Sequence, residues 1–203
     1  MRAEAGAFLA ALHDTQRSVA HRGFADDAAR RWIEHRPRPR PGICLADLDR
    51  DARKAAHRLL ATGLSPHAYA QAMAIIALEE VLDRREGWVR HRHSNDNWVM
   101  VFGDPERDEL WSWRFEGHHL SVTMTVADAQ VSPAPVFLGA NPHCVSYAGR
   151  PVLRPLAPEE DLARALLDAL GTAGRTEAIV ADRAPPDIRS ATSARADAGI
   201  EPL

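Results

Sequence analysis

The side chains best suited to chemistry crowd into one run, Trp111-Ser-Trp-Arg-Phe-Glu-Gly-His-His-Leu-Ser-Val-Thr-Met-Thr-Val126. Glu116 and His119 could exchange a proton. With His118 they could also hold a divalent transition metal, and imidazole and carboxylate donors serve zinc, copper or iron alike. Arg114 would bias the Glu116 carboxyl toward its ionised form. Asn141, in the turn Gly139-Ala-Asn-Pro-His-Cys144, supplies an amide that could orient a substrate alongside Arg114. One expectation is therefore a metal-dependent or acid/base enzyme, with Glu116 catalytic, His118 and His119 as metal ligands, and Arg114 and Asn141 binding substrate. A non-catalytic small-ligand-binding or assembly module without metal fits the same residues, as an ordinary cross-strand pair on a solvated sheet face. Both remain open.

Three further groupings carry donors. Arg90-His91-Arg92-His93 places two imidazoles at i and i+2, on one side of an extended segment, where they could complete a metal site or hold an anion. His143 and Cys144 follow an Asn-Pro turn that also suits plain structure. Glu79 and Glu80 are adjacent on a helix and so diverge by about 100°, which lets at most one of them reach a pocket. The sequence has no phosphate-binding glycine loop, nucleophile elbow, HExxH helix or closely spaced cysteine set.

A hairpin explains the 111–126 run better than one long strand, because Gly117 interrupts it. With Gly117-His118 as a two-residue loop, Glu116 falls opposite His119, Phe115 opposite Leu120 and Trp113 opposite Val122. One face then collects Trp111, Trp113, Phe115, Leu120, Val122, Met124 and Val126, and the other collects Arg114, Glu116, His119, Ser121, Thr123 and Thr125. Around this hairpin the period of two predicts an antiparallel meander, with strands from Asn97 to Phe102 and from Gln130 to Leu138. Pro133 and Pro135 make the last strand an edge or an irregular one.

Helices precede the sheet. Apolar spacing predicts one over 3–21 and a short one over Asp26–Glu34. A helical pair follows, the first ending at Gly63 and the second starting at Ser65-Pro66 and running to Arg84, with one of Glu79 and Glu80 partly buried. Between them, Arg36-Pro-Arg-Pro-Arg-Pro41 is stiff, extended and expected to be exposed. After the sheet come a helix over 158–170 and a weaker one over 175–181. The fold class is α+β: N-terminal helices, a central antiparallel β-meander and C-terminal helices. Residues 1–188 read as one domain, and 189–203, small and polar, as a disordered tail.

Composition is that of a globular chain: 203 residues, 45% hydrophobic and 26% charged. A net charge of -3 gives no global pull toward nucleic acid or an anionic membrane. Lys54 is the single lysine, an arginine bias that reflects coding composition more than selection for phosphate forks. Cys44 and Cys144 read as free thiols. No stretch approaches the roughly 18 apolar residues of a membrane span, and no signal peptide is visible, so a cytoplasmic location is expected. Expected partners are a small molecule and a second copy of the chain.

The string Gly103-Asp-Pro-Glu-Arg-Asp-Glu-Leu-Trp-Ser-Trp-Arg-Phe-Glu-Gly-His-His-Leu-Ser121, with PVFLGANP and LRPLAPEEDLARALLDAL after it, resembles the family catalogued as domain of unknown function 3500. LLATGLSPHAYAQAMAIIALEEVL is similar to that family's preceding helix pair. The resemblance spans roughly Trp32 to Ile188. It implies a longer chain, whose second half carries a tyrosine-rich strand and an Asn-His-Ile-His type motif able to supply further ligands. If so, a site at His118 and His119 would be completed by His91, His93, His143 or a partner chain.

Overall fold

The computed structural model describes residues 1–188 and Ser193. The first helical stretch is two helices, α1 (Arg2–Ala10) and α2 (Asp14–Ala20), where apolar spacing reads one. His13 explains the break. Its Nδ1 accepts from Gln16 N at 3.4 Å while Gln16 Oε1 accepts from His13 N at 3.3 Å, a reciprocal cap that starts a new helix. Phe8 and Leu12 still point into the core.

After β1 (His21–Arg22), the next helix α3 (Asp27–Arg30) is capped by Asp26 and stops four residues short of its expected end at Glu34. Tertiary bonds outcompete the helix. Glu34 N–H donates to Glu116 Oε1 at 2.8 Å instead of continuing the helical ladder, and the Arg114 guanidinium takes the Ala29 carbonyl. The chain then passes through the Arg-Pro segment to β2 (Ile43–Cys44), bending at 36–38 and 41–42, where the sequence reads a stiff extended run. Gly42 is required at this junction, because its φ is +121° and a Cβ there would lie 2.7 Å from the Val99 carbonyl oxygen.

The helix pair is as expected. α4 (Arg50–Thr62) is capped by Asp49, which accepts from Ala52 N at 2.8 Å. α5 (Pro66–Arg85) is capped by Ser65, which accepts from Ala68 N at 3.1 Å, with Pro66 in the first turn. The sheet follows as β3 (Asn97–Phe102), β4 (Leu110–Gly117), β5 (Leu120–Ala127), β6 (Gln130–Ser132) and β7 (Val136–Leu138). β3, β4 and β5 are antiparallel neighbours, and short strands line both flanks. β1 (parallel) and β2 (antiparallel) share the outer edge of β3, so the sheet is mixed, while β6 and β7 share that of β5. The predicted strand over 130–138 is thus split at Pro133-Ala-Pro135, where donors are missing.

One sheet face carries Val99, Val101, Trp111, Trp113, Phe115, Leu120, Val122 and Met124, and packs on Phe8, Leu59, Leu60, Ala72 and Ile75 of the helices. At about 25 cal/mol per Å² of apolar surface, this is the fold's main stabilising layer. A small hairpin, β8 (Val145–Tyr147) with β9 (Arg150–Leu153), has no counterpart in the sequence reading. α6 (Ala157–Ala169) and α7 (Gly171–Ala178) complete the α+β order, and neither buries a residue. The expected tail lies outside the described residues except Ser193, which forms an isolated antiparallel bridge with Trp32. Among the described residues no helix is long and apolar enough to cross a membrane.

Candidate functional site

The central hairpin turns one residue later than a loop at Gly117-His118, which shifts the pairing register by two. Gly117 pairs with Leu120, so His118-His119 form the loop, and Glu116 faces Ser121, not His119. The sorting of faces survives because both registers have the same parity: Phe115 faces Val122 and Trp113 faces Met124, still apolar on apolar. His119 takes the positive φ of 59° that the turn demands. Gly117 stays in the strand for a steric reason, since a Cβ there would lie 1.8 Å from Asn97 Oδ1 on β3.

The second face of the sheet is polar and buried. Ser112, Arg114, Glu116, Ser121 and Thr123 are each at most 2% exposed, and residues 31–42 cross this face as a strap that bonds to Arg114 and Glu116. The expected exposed Arg-Pro segment is therefore a cover. Its tip at 37–39 is open to solvent, but the Arg40 side chain lies fully buried between Trp98, with its guanidinium 5.1 Å from the ring centre, and Glu116. Glu116 Oε1 accepts from Glu34 N and from Ser121 Oγ, both at 2.8 Å. Oε2 lies 3.6 Å from Arg114 Nε and 3.9 Å from Arg40 Nε, too far for a hydrogen bond. Burial pushes the Glu116 carboxyl up against the pull of Arg114, Arg40 and its two donors, and burial also lowers both arginines. Glu34 behaves oppositely. Burial works to raise it, but Arg36 at 2.7 Å and Arg38 at 2.9 Å bring it below the usual carboxylate range.

His118 sits one layer further out, with its side chain 8% exposed. Its Nδ1 is hydrogen bonded to Glu79 Oε1 on α5, which favours the Nδ1–H tautomer. Nε2 makes no hydrogen bond among the described residues and is not shut away from solvent. Glu79 Oε2 lies 3.8 Å from Arg92 Nη1, and Arg92 grips Glu86 with two bonds of 2.7 and 3.0 Å. Only one of the paired glutamates turns inward, as helical geometry requires; Glu80 instead accepts from Ser94 N at 2.9 Å. The His119 ring lies 4.0 Å from that of His118, centre to centre, and its pKa is lowered to about 4, first by burial and then by His118, His35 and Arg92. A neutral imidazole results.

These groups border a cavity of about 280 Å³ between the strap, α5 and the loop before β3. Arg38 and Arg40 line it from the strap, Glu79 from α5, Arg90, His91, Arg92 and Asp96 from the loop, Trp98 from β3, and His118 from the hairpin tip. Among the described residues, Arg40 Nε and Nη1 and Arg92 Nη1 are buried without a hydrogen-bond partner, and a buried donor left so costs about 1–3 kcal/mol.

Of the residues singled out in the sequence, His118 lines this cavity. Arg114 and Glu116 lie beneath it in the covered layer, His119 stacks behind His118, and the exposed Asn141 belongs to a different surface. His91 reaches the cavity from its loop and His143 borders another pocket, beside Glu159. Among the described residues, no group of three or more His, Cys, Asp or Glu side chains has the geometry to hold a metal ion. Sequence reasoning gave no role at the site to Arg38, Arg40, Asp96 or Trp98. The alternation of Arg and Pro was the available signal, since it places Arg36, Arg38 and Arg40 at regular spacing along one extended segment.

The profile of the family described as Protein of unknown function (DUF3500) matches residues 1–202. The chain belongs to that family. The match extends beyond the 32–188 segment that carries the sequence resemblance, so in this DUF3500 chain it takes in α1 and α2 as well as the strap, sheet and C-terminal helices. No curated protein and no solved structure matches the chain.

Proposed function

We propose that this DUF3500 chain is an acid/base enzyme whose substrate, a small molecule, binds in the 280 Å³ cavity. His118 moves the proton and Glu79 orients it. One observation carries this reading: a carboxylate buried to 6% exposure engages Nδ1 of His118 at the cavity wall and leaves Nε2 free. A carboxylate behind an imidazole fixes the tautomer and stabilises the imidazolium formed when Nε2 accepts a proton. Glu116 then has a supporting task, since it neutralises Arg40 and Arg114 and pins the strap that forms the cavity's outer wall.

Nitrogen-15 NMR of the histidine side chains tests this. The expected result is His118 as a single Nδ1–H tautomer with an unprotonated Nε2, and carbethoxylation of Nε2 by diethyl pyrocarbonate. An Nε2–H tautomer would remove the base and sink the reading.

A second reading keeps the metal. The close approach of His118 and His119, 4.0 Å between ring centres, favours a shared zinc, copper or iron ion bound as neutral imidazoles. Elemental analysis of wild type against a His118→Ala/His119→Ala double variant separates the two: near-stoichiometric metal lost in the variant supports the second reading, and metal-free wild type that takes up none of the three when offered removes it.

A further inference from the structure

The protein's own acids leave several donors of the cavity wall unanswered. The Arg40 and Arg92 side chains are 0% and 6% exposed, and among the described residues Arg40 Nε and Nη1 and Arg92 Nη1 donate to no hydrogen-bond partner. Arg40 Nε lies 3.9 Å from Glu116 Oε2, and Arg92 Nη1 lies 3.8 Å from Glu79 Oε2 while the other two nitrogens of Arg92 are held by Glu86. Arg38, from the strap, and Arg90, from the loop before β3, add two more guanidiniums whose side chains are 46% and 57% exposed. Such planar forks match a carboxylate or a phosphate.

The wall is not uniformly cationic, and this decides between the two. Glu79 and Asp96 line the same cavity. A phosphate dianion would meet two carboxylates at close range in a partly desolvated space, whereas a monoanionic carboxylate meets the arginines and leaves the acids something to accept. Those acids need a hydrogen-bond donor on the ligand. Trp98, partly exposed beside them, offers an apolar wall.

We infer that the ligand class of this cavity is a small carboxylic acid that also bears a hydroxyl or amino group. Its carboxylate lies among the arginines and its donor toward Asp96 and Glu79. This rests on the cavity being the small-molecule site proposed above.

The test is a titration of the full chain, followed through the arginine Nε–H and tryptophan indole resonances, with lactate, glycolate, inorganic phosphate and the neutral lactamide as probes. Lactate or glycolate is expected to shift Arg40 and Trp98 saturably, phosphate to bind roughly tenfold more weakly and lactamide not to bind. Arg38→Ala, which also gives up its ion pair with Glu34, and Arg90→Ala, both at exposed side chains, are each expected to weaken the hydroxy acids roughly tenfold. The proposal is overturned by phosphate binding tighter than the hydroxy acids, by lactamide binding as well as lactate, by no saturable shift with any probe, or by indifference to both arginine substitutions. Failure here differs from failure of the acid/base reading. If hydroxy acids bind while His118 shows the Nε2–H tautomer, the ligand class stands and the acid/base reading falls. If the tautomer is Nδ1–H while only phosphate or lactamide binds, the reverse holds.

Discussion

At the scale of single residues, burial decides which ionisable groups can act. Glu116 and His118 sit two positions apart, yet one is fully enclosed with two donors on a single oxygen and the other keeps a ring nitrogen free. Glu116→Ala would leave Arg114 and Arg40 buried without a carboxylate and strip Glu34 N and Ser121 Oγ of their acceptor. The expected loss is about 3–5 kcal/mol in urea unfolding. Glu116→Gln keeps an acceptor at Oε1 but leaves both arginines without a counter-charge, so it should cost less than the alanine variant only by what the two retained hydrogen bonds contribute. Equal losses for the two variants would show that the charge itself matters most. For Glu79→Gln the expected outcome is different in kind. The fold should hold to within about 1 kcal/mol, because an amide oxygen still meets Nδ1–H, while any turnover found for the wild type should fall roughly tenfold or more once the imidazolium loses its counter-charge.

At the scale of elements, the strap is the part that links sequence to site. Its proline spacing gave a non-helical segment, though one that bends at 36–38 and 41–42, and the alternation of faces along β4 and β5 correctly gave two surfaces of opposite character. Whether the polar surface met water or protein was not legible, because parity assigns a residue to a face and says nothing of what lies over it. The hairpin register failed for a related reason: shifts by two preserve parity, and the choice rested on steric facts at Gly117 and Asn97 that involve a third strand. The helix cap at Ser65 was local and so was readable, whereas the break at His13 used a capping residue outside the preferred set. The pairing of His118 with Glu79 spans 39 positions and leaves no local trace. Glu34 holds Arg36 and Arg38, so Glu34→Ala should loosen the strap without unfolding the sheet. Hydrogen exchange should then quicken at residues 34–42 while the β4 and β5 amides keep their protection, and uniform acceleration over both would mean that strap and sheet open as one unit.

At the scale of the whole molecule, the depressed imidazoles give folding a pH dependence that can be assigned. His119 has a pKa near 4 in the fold against about 6.5 in the open chain, so its neutral form is the one folding selects. That contribution is present in full above pH 6.5 and is lost as pH falls toward 4, where the unfolded chain has already taken up a proton. His57, lowered by burial and then by Lys54 and Arg53, acts in the same direction. Glu34, held below its usual range, loses its contribution only at lower pH still. Glu116 runs the other way: its raised pKa makes it most favourable to folding below about pH 4.5, and the benefit fades as pH rises through its folded value. Between pH 7 and 4.5 the histidines should therefore lower stability on acidification while Glu116 opposes them. His119→Asn tests this, because asparagine tolerates the positive φ of that position and does not titrate. Relative to its own stability at pH 7, the variant should lose about 2 kcal/mol less than the wild type on moving to pH 4.5, a figure reduced from the full shift because the ring keeps some solvent contact. Parallel losses in the two proteins, measured by urea midpoints at both pH values, would place the acid sensitivity elsewhere, first at His57. Since His119 stacks on His118, a fold that favours neutral His119 also spares the proposed base a cationic neighbour, so the stability test and the chemistry of the cavity draw on the same ring.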